Sequence, residues 1–493
     1  MRRGTFFLAT GLTAMLQIGC TAQAKTPERL APDLVSTPKT EINFQIVDSE
    51  DTGIFTRAEA DYSLGKIYIV TLENGAPIST EQIGFSDPRY KDSDPWLSPS
   101  GDTLYFISDR PTFLGDVRED EDDYDIWRSR RTGGQWTAPE HLGLINSRAG
   151  EFGPEVNNGY LYFSSRRGGQ YDIYRSRVEG NGFAPPEKLG APFNTTYHDS
   201  DFTLTKNGRV AIWWSTRPGG PGGGGDLYVS HRTGNGWTEA TDLGTSINTS
   251  ALDFTPSLTP NNAILYFATQ KPFPGQEEGA ADIYRIPVKD IAVLQEALAA
   301  SAMAQLKEAF GGETVLSNTK TLSYHLDIDR ASSASSSEDV FMDFRQQAIA
   351  VRSSGESGYR FARGGDAAMR EGQALADSEA AEMLASLYAN FLYFLTADEL
   401  ELIGPENVSG HGDLTWFRLH ARGKTSPLVG LDPRNGRIVK ILTDSGAMVM
   451  EMDYLKHASG LIWPHRFMVE RDGEHILTGR FSKLAVNEPS PAE

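Results

Sequence analysis

The amino-acid sequence predicts a mainly β protein in which a β-propeller of five or six four-stranded sheets precedes an α+β domain. Three observations lead to this prediction. A strand motif recurs through residues 41–290 at intervals that fit propeller blades. The chain contains 49 glycines and 26 prolines, as a turn-rich protein requires. From Ile291 the apolar residues change to helical spacing, which predicts a second domain over residues 291–493.

The first 24 residues have the composition of an export signal. Arg2 and Arg3 form a charged start, and the apolar stretch 6–18 follows. This stretch is too short to span a bilayer, which takes about 20 residues. Two processing sites compete, because Gly19-Cys20 has the form of a lipobox whereas Ala22-Gln23-Ala24 fits ordinary signal cleavage.

Cys20 is the only cysteine in the sequence and is the predicted lipid-attachment residue. Because Gln17 stands where a lipobox prefers leucine, the alternative is a soluble periplasmic protein cleaved after Ala24. The residues after Cys20 do not resemble an inner-membrane retention signal, so a lipidated protein is expected in the periplasm, anchored to the outer membrane through its lipid alone. Residues 25–40, rich in Pro, Thr and Ser, are predicted to form a flexible linker.

The clearest mark of the repeat is an aspartate followed by an apolar and an aromatic residue. It occurs as Asp125-Ile126-Trp127, Asp172-Ile173-Tyr174, Asp226-Leu227-Tyr228 and Asp282-Ile283-Tyr284. The intervals of 47, 54 and 56 residues lie near the roughly 40 to 50 residues of a propeller blade. An apolar strand precedes each mark, as in Leu104-Tyr105-Phe106, and another strand precedes that one. The repeated aspartates and aromatic residues are therefore expected to hold the blades together.

A fourth strand follows three of these marks, over 136–143, 183–190 and 237–244. The last unit lacks it, which is typical of a ring whose final sheet is completed by a strand from the other end of the repeat. Ile42–Val47 is the predicted closing strand. An earlier, divergent unit runs through 66–83, so five units are counted and six is the alternative.

Together the Pro-x-Leu-Ser-Pro, Leu-Tyr-Phe-x-Ser and Asp-Ile-Tyr series resembles the WD-like propeller repeats of TolB and its relatives. The resemblance covers about half of the chain. It implies a binding platform for another envelope protein or a peptide, although propellers serve many unrelated tasks.

The second domain begins with a predicted amphipathic helix from Ile291 to Phe310, ended by Gly311-Gly312. Strands are predicted over 314–329, 340–351 and 359–362, a helix over 377–396, and several further strands from residue 414 to residue 484.

The series Gly430-Leu431-Asp432-Pro433, Gly436-Arg437-Ile438-Val439, Gly460-Leu461-Ile462-Trp463-Pro464 and Lys483-Leu484-x-Val486-Asn487 resembles the LolA-like lipoprotein-sorting fold. This resemblance implies a curved antiparallel sheet around helices, with an apolar cavity for an acyl chain or another apolar ligand. The candidate cavity residues are Phe341, Phe344, Phe361, Trp416, Met450, Tyr454 and Phe467. The competing interpretation is that most of them are ordinary core residues.

Composition and motifs argue against several functions. The formal charge of −20 would repel a phosphate backbone, so nucleic acid is not an expected partner. No His-Glu-x-x-His metal motif and no Gly-x-Ser-x-Gly nucleophile elbow occur in the sequence, and no catalytic residue or cofactor is predicted. The carboxylates of the acidic run 119–123 and of Asp92, Asp94, Asp199 and Asp201 are of the type that binds calcium, but solvated loops are the more common role of such residues.

The function expected from the sequence is non-enzymatic binding in the cell envelope. One alternative is a propeller hydrolase or lyase that acts on an envelope peptide or polysaccharide, and paired carboxylates in one cleft would favour it. A second alternative is a structural envelope protein that binds no ligand.

Overall fold

The structure is a computed structural model of the chain. It describes residues 26–47, 51–112, 123–221, 224–233, 236–331, 335–343, 348–353, 360–363, 400–406, 414–421, 424–432, 435–442, 447–471 and 474–487. Within these ranges, neither of the two α-helices has the length and apolar composition needed to cross a membrane.

Five antiparallel sheets form a propeller, and the prediction of five or six blades is confirmed with five. Blade 1 contains β2 (Thr40–Ile46), β3 (Thr52–Ala58), β4 (Lys66–Glu73) and β5 (Ala76–Gln82). Blade 2 contains β6 (Asp92–Leu97), β7 (Thr103–Ser108), β8 (Asp125–Thr132), β9 (Gln135–Trp136) and β10 (Glu140–His141). Blade 3 contains β11 (Glu151–Asn157), β12 (Tyr160–Ser165), β13 (Asp172–Glu179), β14 (Gly182–Phe183) and β15 (Glu187–Lys188).

Blade 4 contains β16 (Asp199–Leu204), β17 (Val210–Ser215), β18 (Asp226–Thr233), β19 (Gly236–Trp237) and β20 (Thr241–Asp242). Blade 5 contains β21 (Asp253–Leu258), β22 (Ile264–Thr269), β23 (Asp282–Pro287) and, as its outermost strand, β1 (Glu28–Arg29). Each Asp-apolar-aromatic mark begins the third strand of a blade. The predicted fourth strand is split into two short pieces in blades 2–4, and both pieces pair with the third strand.

The innermost strands β2, β6, β11, β16 and β21 contact one another in a closed circle around a central channel. The prediction that Ile42–Val47 closes the ring is wrong, because β2 is the inner strand of blade 1. Closure comes from β1, in which Glu28 and Arg29 pair with Arg285 and Tyr284. Residues 26–40 therefore do not form the predicted linker, since β1 and the turn that follows it pack against blade 5 through Leu30 and Val35, which are buried with Ile283.

After a short 3-10 turn (Val288–Asp290), helix α1 (Ala292–Ala309) connects the propeller to the second domain. The first half of α1 buries Leu294 and Leu298 among blade 4 and blade 5 residues, whereas its second half buries Leu306 in the core of the second domain. The predicted end of the helix is confirmed, since Gly311 and Gly312 have positive φ angles.

The second domain contains one twelve-stranded antiparallel sheet. Its strands are β24 (Thr321–Arg330), β25 (Ser336–Asp343), β26 (Ala348–Ser353), β27 (Arg360–Arg363), β28 (Leu400–Glu406), β29 (Thr415–Ala421), β30 (Lys424–Thr425), β31 (Leu428–Leu431), β32 (Ile438–Leu442), β33 (Ala447–Lys456), β34 (Ile462–Arg471) and β35 (Glu474–Val486). The order is β27-β26-β25-β24-β35-β34-β33-β32-β31-β29-β28, with β30 beside β29.

One predicted strand of this domain is partly wrong, because its start at residue 314 lies inside the short helix α2 (Glu313–Asn318). Leu316 of α2 is buried in the domain core, so tertiary packing decides the local structure there. The helix predicted over 377–396 lies outside the described residues.

Candidate binding site in the propeller channel

Each innermost strand of the propeller has a β-bulge at the same height of the channel. Its pairing register with the second strand of the blade shifts there, and one residue at the shift has a φ of 45–55°. The five residues are Asn43, Asp94, Gly153, Asp201 and Thr255. Asn, Asp and Gly are the residue types that tolerate this left-handed conformation best, whereas the β-branched Thr255 is strained there. We call these five residues the bulge ring.

Side chains of the bulge ring bind the backbone of other blades. Asp94 Oδ2 accepts a hydrogen bond from the backbone amide of Gly153 at 3.0 Å, and Asp201 Oδ2 accepts one from Thr255 at 3.2 Å. Thr255 Oγ1 in turn accepts one from Asn43 at 3.4 Å. The ring therefore links blade 2 to blade 3, blade 4 to blade 5, and blade 5 to blade 1.

The two carboxylates of the ring have the same local surroundings. Ser93 donates to Asp94 at 2.9 Å and Ser200 donates to Asp201 at 3.4 Å. Burial raises the pKa of Asp94, and burial together with the Asp94 charge raises the pKa of Asp201 to about 7. Within the described part of the chain, Asp201 forms no ion pair with a lysine or arginine. It is therefore a carboxylate that an incoming positive charge would stabilise.

Above the bulge ring, at the end where the inner strands begin, the channel opens into a cavity of about 240 Å³. We call this end the upper end. Its cavity is lined by five aromatic side chains from four blades, and both ring carboxylates reach it from below. The aromatic residues are Tyr62, Phe152, Tyr171, Trp214 and Phe254.

Ring–ring contacts hold this aromatic lining together. Tyr171 lies 5.3 Å from Phe152 and 6.4 Å from Trp214, measured between ring centroids. Tyr62 lies 6.3 Å from Phe254 on the other side. Burial, opposed by a hydrogen bond from Gln270 and assisted by the charge of Asp201, raises the pKa of Tyr62 to about 12, so its hydroxyl stays protonated. The cavity thus has rigid apolar walls above an acidic floor.

A cation also lines the upper cavity. Lys91 Nζ lies 4.4 Å from the centroid of the Tyr124 ring and donates to the Tyr124 hydroxyl at 3.2 Å. Tyr124 in turn packs 5.8 Å from Phe152. Lys91 favours the charged form of Asp94 but is not among the groups that shift the pKa of Asp201. The two carboxylates therefore differ in how much positive charge faces them.

The lower end of the channel holds a second, more polar cavity of about 250 Å³. Glu155 lies in it, and burial raises the pKa of this residue to about 7 although the Leu204 amide donates to it. The lower loop of blade 4 binds helix α1, since Asn207 donates to Gln305 at 3.2 Å and Arg209 forms two bonds of 3.0 Å to Glu308. The second domain therefore adjoins the lower end, and none of its described residues lines the upper cavity.

Two of the inner-strand aspartates that are candidates for calcium binding form ion pairs with arginines. Asp92 and Asp199 form ion pairs of 2.7 Å with Arg110 and Arg217, and the corresponding Glu151 pairs with Arg167 at 2.9 Å. Among the described residues, no group of three or more His, Cys, Asp or Glu side chains has a metal-binding arrangement. Residues 119–122 of the acidic run and the lipid-attachment candidate Cys20 lie outside the described residues.

Of the seven candidate cavity residues of the second domain, the structure describes the side chains of four. Tyr454 and Phe467 belong to the packed core beneath α1, where the Tyr454 hydroxyl donates to the Ile438 carbonyl at 2.9 Å. Phe341 and Trp416 are buried but lie outside that core cluster. The backbones of Phe361 and Met450 pair with Ala350 and Met468, respectively. Phe344 lies outside the described residues.

Sequence reasoning did not predict the aromatic cavity. Tyr62, Tyr171 and Trp214 come from loops and a second strand and share no position in the repeat. Phe152 and Phe254 do share one, directly before the bulge residue of their inner strands, and Ser93 and Ser200 hold the same position in blades 2 and 4.

No protein-family model matches the chain, and no curated protein matches it. Solved structures that resemble it do so at low similarity. A protein assigned as TolB from Agrobacterium tumefaciens is 15% identical, with a TM-score of 0.29, over 50% of this chain and 73% of that one. A LolA superfamily protein from Nitrosomonas europaea is 12% identical, with a TM-score of 0.26, over 39% of this chain and 94% of that one.

Structures of enzymes also appear at this level. A puromycin-hydrolyzing peptidase from Mycobacterium tuberculosis is 13% identical, with a TM-score of 0.31, over 64% of this chain. The match spans 45% of the peptidase, which is less than half of its length. A thermostable family-43 glycoside hydrolase is 9% identical, with a TM-score of 0.33, over 51% of this chain and 92% of that one.

Proposed function

We propose that the protein is a non-enzymatic binding protein of the cell envelope, and that the upper end of its propeller docks an envelope protein or peptide. The observation that carries this proposal is the open aromatic cavity at that end. Aromatic side chains supply large contact area in rigid form, and they are enriched where proteins bind partners.

The loops around the cavity add apolar contact area. Five large apolar side chains are strongly exposed in the described part of the chain, and three of them lie on upper loops. Leu64 lies within blade 1, Leu144 between blades 2 and 3, and Tyr197 between blades 3 and 4. We call these three residues the upper rim. Exposed apolar side chains around a cavity are typical of an interaction surface.

Photocrosslinking in intact cells tests the docking proposal. A photoreactive amino acid at Leu64, Leu144 or Tyr197 is expected to capture the same partner, which mass spectrometry then identifies. The same amino acid at Ile78 or Leu455, which are equally exposed but lie on the outer strand of blade 1 and on the second domain, serves as the control. Capture of the partner from the control positions alone would refute docking at the upper end.

Hydrolysis is the second candidate function, because two carboxylates with raised pKa values line one channel. Against it, each carboxylate already accepts a backbone amide bond from another blade, which is a structural role. Purified protein incubated with peptidoglycan fragments and envelope peptides, with Asp201→Asn as the control, tests this alternative. Turnover that the substitution abolishes would favour the enzyme.

The envelope location and the apolar ligand of the second domain are further parts of the proposal. Phe341 and Trp416 are buried apolar side chains of this domain, and the proposal places them at the apolar site. Saturable binding of a fluorescent fatty acid to delipidated protein is the expected result, and its absence would leave a structural domain. Labelling of the wild-type protein, but not of Cys20→Ala, with an alkyne fatty acid would identify the anchor.

A further inference from the structure

We propose that the upper cavity of the propeller takes the side chain of a lysine from the docked partner, with its alkyl stem between the aromatic walls and its ammonium group at Asp201. This inference rests on the proposed docking function, because it names the group that the docked partner inserts.

The walls of the cavity suit an alkyl stem. Phe152, Tyr171 and Trp214 come from neighbouring blades and form one continuous aromatic surface. The four methylene groups of a lysine lose water against such a surface, which favours binding. Tyr and Trp faces also attract a cation that passes over them.

The floor of the cavity suits a positive charge. Asp201 accepts hydrogen bonds from Ser200 and from the Thr255 amide, while Asp94 acts on it as a like charge. No cation of the described residues neutralises it. The neighbouring ring position, Gly153, has no side chain, and a Cβ there would lie 3.8 Å from Asp201 Oδ1. No side chain at this position of the bulge ring therefore covers the Asp201 carboxylate.

Apolar walls above an acidic floor match an amphipathic side chain better than other groups. Lysine combines an unbranched apolar stem with a compact charged tip. The α-ammonium group at the N-terminus of a peptide has no alkyl stem to pack between the aromatic walls. The planar guanidinium group of arginine is wider than the ammonium group of lysine. A neutral sugar would leave the charge of Asp201 uncompensated. The overall charge of −20 further attracts a basic partner.

Matched tripeptides test the inference on the full-length protein without its signal. Acetyl-Gly-Lys-Gly-amide and its norleucine counterpart share the stem and differ in the charge, and quenching of tryptophan fluorescence or calorimetry measures binding at pH 8. The lysine peptide is expected to bind at least about tenfold more tightly than the norleucine peptide, which corresponds to about 1.4 kcal/mol. Equal binding of both peptides would overturn the inference, and so would binding of chitotriose in place of the lysine peptide.

Variants locate the binding site. Asp201→Asn keeps an acceptor for the Thr255 amide and is expected to weaken lysine-peptide binding about tenfold, without changing norleucine-peptide binding. Trp214→Leu is expected to weaken both. Asp61→Asn is the matched control, since Asp61 is exposed on the same end of blade 1 and loses the same charge, and it should leave binding unchanged.

The result also separates this inference from the docking function. If upper-rim crosslinks still capture a partner but the lysine peptide does not bind, docking stands and the lysine inference is wrong. If an Asp61→Asn variant weakens binding as much as Asp201→Asn does, the attraction is only a long-range effect of the negative surface, and the inference is equally wrong.

Discussion

A buried ion pair at the upper end of each of three blades recurs at the same structural position. The first residue of the inner strand, such as Asp199, binds an arginine that follows the second strand, such as Arg217. The Arg217 guanidinium also lies 5.1 Å from the Trp213 and Tyr228 rings and donates to two carbonyls. These partners satisfy the buried charge, so the pair is a structural brace.

Replacing Arg217 by methionine tests the brace. The substitution leaves Asp199 buried and unpaired, which is expected to lower the free energy of unfolding by about 3–5 kcal/mol. Arg177→Met is the control, because Arg177 pairs with Glu179 on an exposed surface and should cost no more than about 1 kcal/mol. Urea titration of both variants measures the difference, and equal losses would contradict the brace.

The raised pKa of Asp201 makes stability depend on pH. Its pKa is about 7 in the folded protein and near 3.9 in the unfolded chain, so folding favours the protonated form. The stability that this group contributes is complete below about pH 4 and is lost as the pH rises through 7. The Asp201→Asn variant removes this loss and is expected to be the more stable protein at pH 8, by up to about 4 kcal/mol.

Melting temperatures of the wild type and Asp201→Asn between pH 4 and pH 8 check this expectation. The two curves should converge at low pH and separate as the pH rises. The melting-temperature curve of Asp61→Asn should run parallel to that of the wild type between pH 5 and pH 8. Curves that separate at low pH would show that the hydrogen bond to Thr255, and not the charge, decides the effect.

At the scale of elements, the short strand β1 closes the propeller. Arg29 forms an ion pair of 3.1 Å with Asp282, and its guanidinium lies 3.3 Å from the Phe273 ring centroid. Asp282 is fully buried, and burial raises its pKa to about 7 despite the charge of Arg29. Glu28 and Arg29 thus cover the outer edge of blade 5, and Arg29 compensates the buried carboxylate of Asp282.

A chain that starts at residue 31 tests the closing strand. Its β23 would present an open sheet edge and Asp282 would lose its cation, so we expect a lower melting temperature and association into dimers or larger species. Size-exclusion chromatography with light scattering measures the association. A chain that starts at residue 26 is the control, and a monomeric short chain of unchanged stability would contradict this role of β1.

The sequence predicts the strands that have a strong apolar pattern. It does not predict a strand such as β1, whose role depends on where the folded ring places it. The marks beginning at Asp125, Asp172, Asp226 and Asp282 identify the third strand of four blades, because each buries an alternating apolar and aromatic pair. β1 has only two residues, so no alternation can show in it. The Pro, Thr and Ser residues around it predict a linker instead.

A repeated asparagine also marks the end of three blades. Asn146, Asn194 and Asn248 each follow a Leu-Gly pair by three or four residues. Each asparagine side chain forms two hydrogen bonds with the backbone amide and carbonyl of one residue. That residue is the second of the third strand in its blade, namely Ile126, Ile173 or Leu227. Aligning the units on these asparagines would have fixed the end of each blade. The site could not be derived in this way, since only folding around an axis brings Tyr62, Tyr171 and Phe254 together.

At the scale of the whole molecule, helix α1 belongs to two cores. Leu294 is buried with Leu227 and Val229 of the propeller, while Leu306 is buried with Phe417 and Phe481 of the second domain. Because one continuous helix carries both residues, loosening one core removes support from the other.

Core substitutions in α1 test this coupling. Leu294→Ala and Leu306→Ala are each expected to lower the free energy of unfolding by about 2–5 kcal/mol. Hydrogen exchange should become faster in both β18 and β24 for either variant. Glu296→Ala, an exposed position of the same helix, should leave both strands protected. Faster exchange confined to the domain that faces the substituted residue would refute the coupling.

The pairing of Arg29 with Asp282 spans 253 positions of the chain. During synthesis, blade 5 therefore stays incomplete until almost all of the propeller has been made, and a contact of such long range forms slowly. The pairing of β1 with β23, which closes the ring, is therefore slow to form during translation. Under the envelope location that we propose, this delay would help export, since a chain that crosses a membrane in extended form could close its ring on the far side.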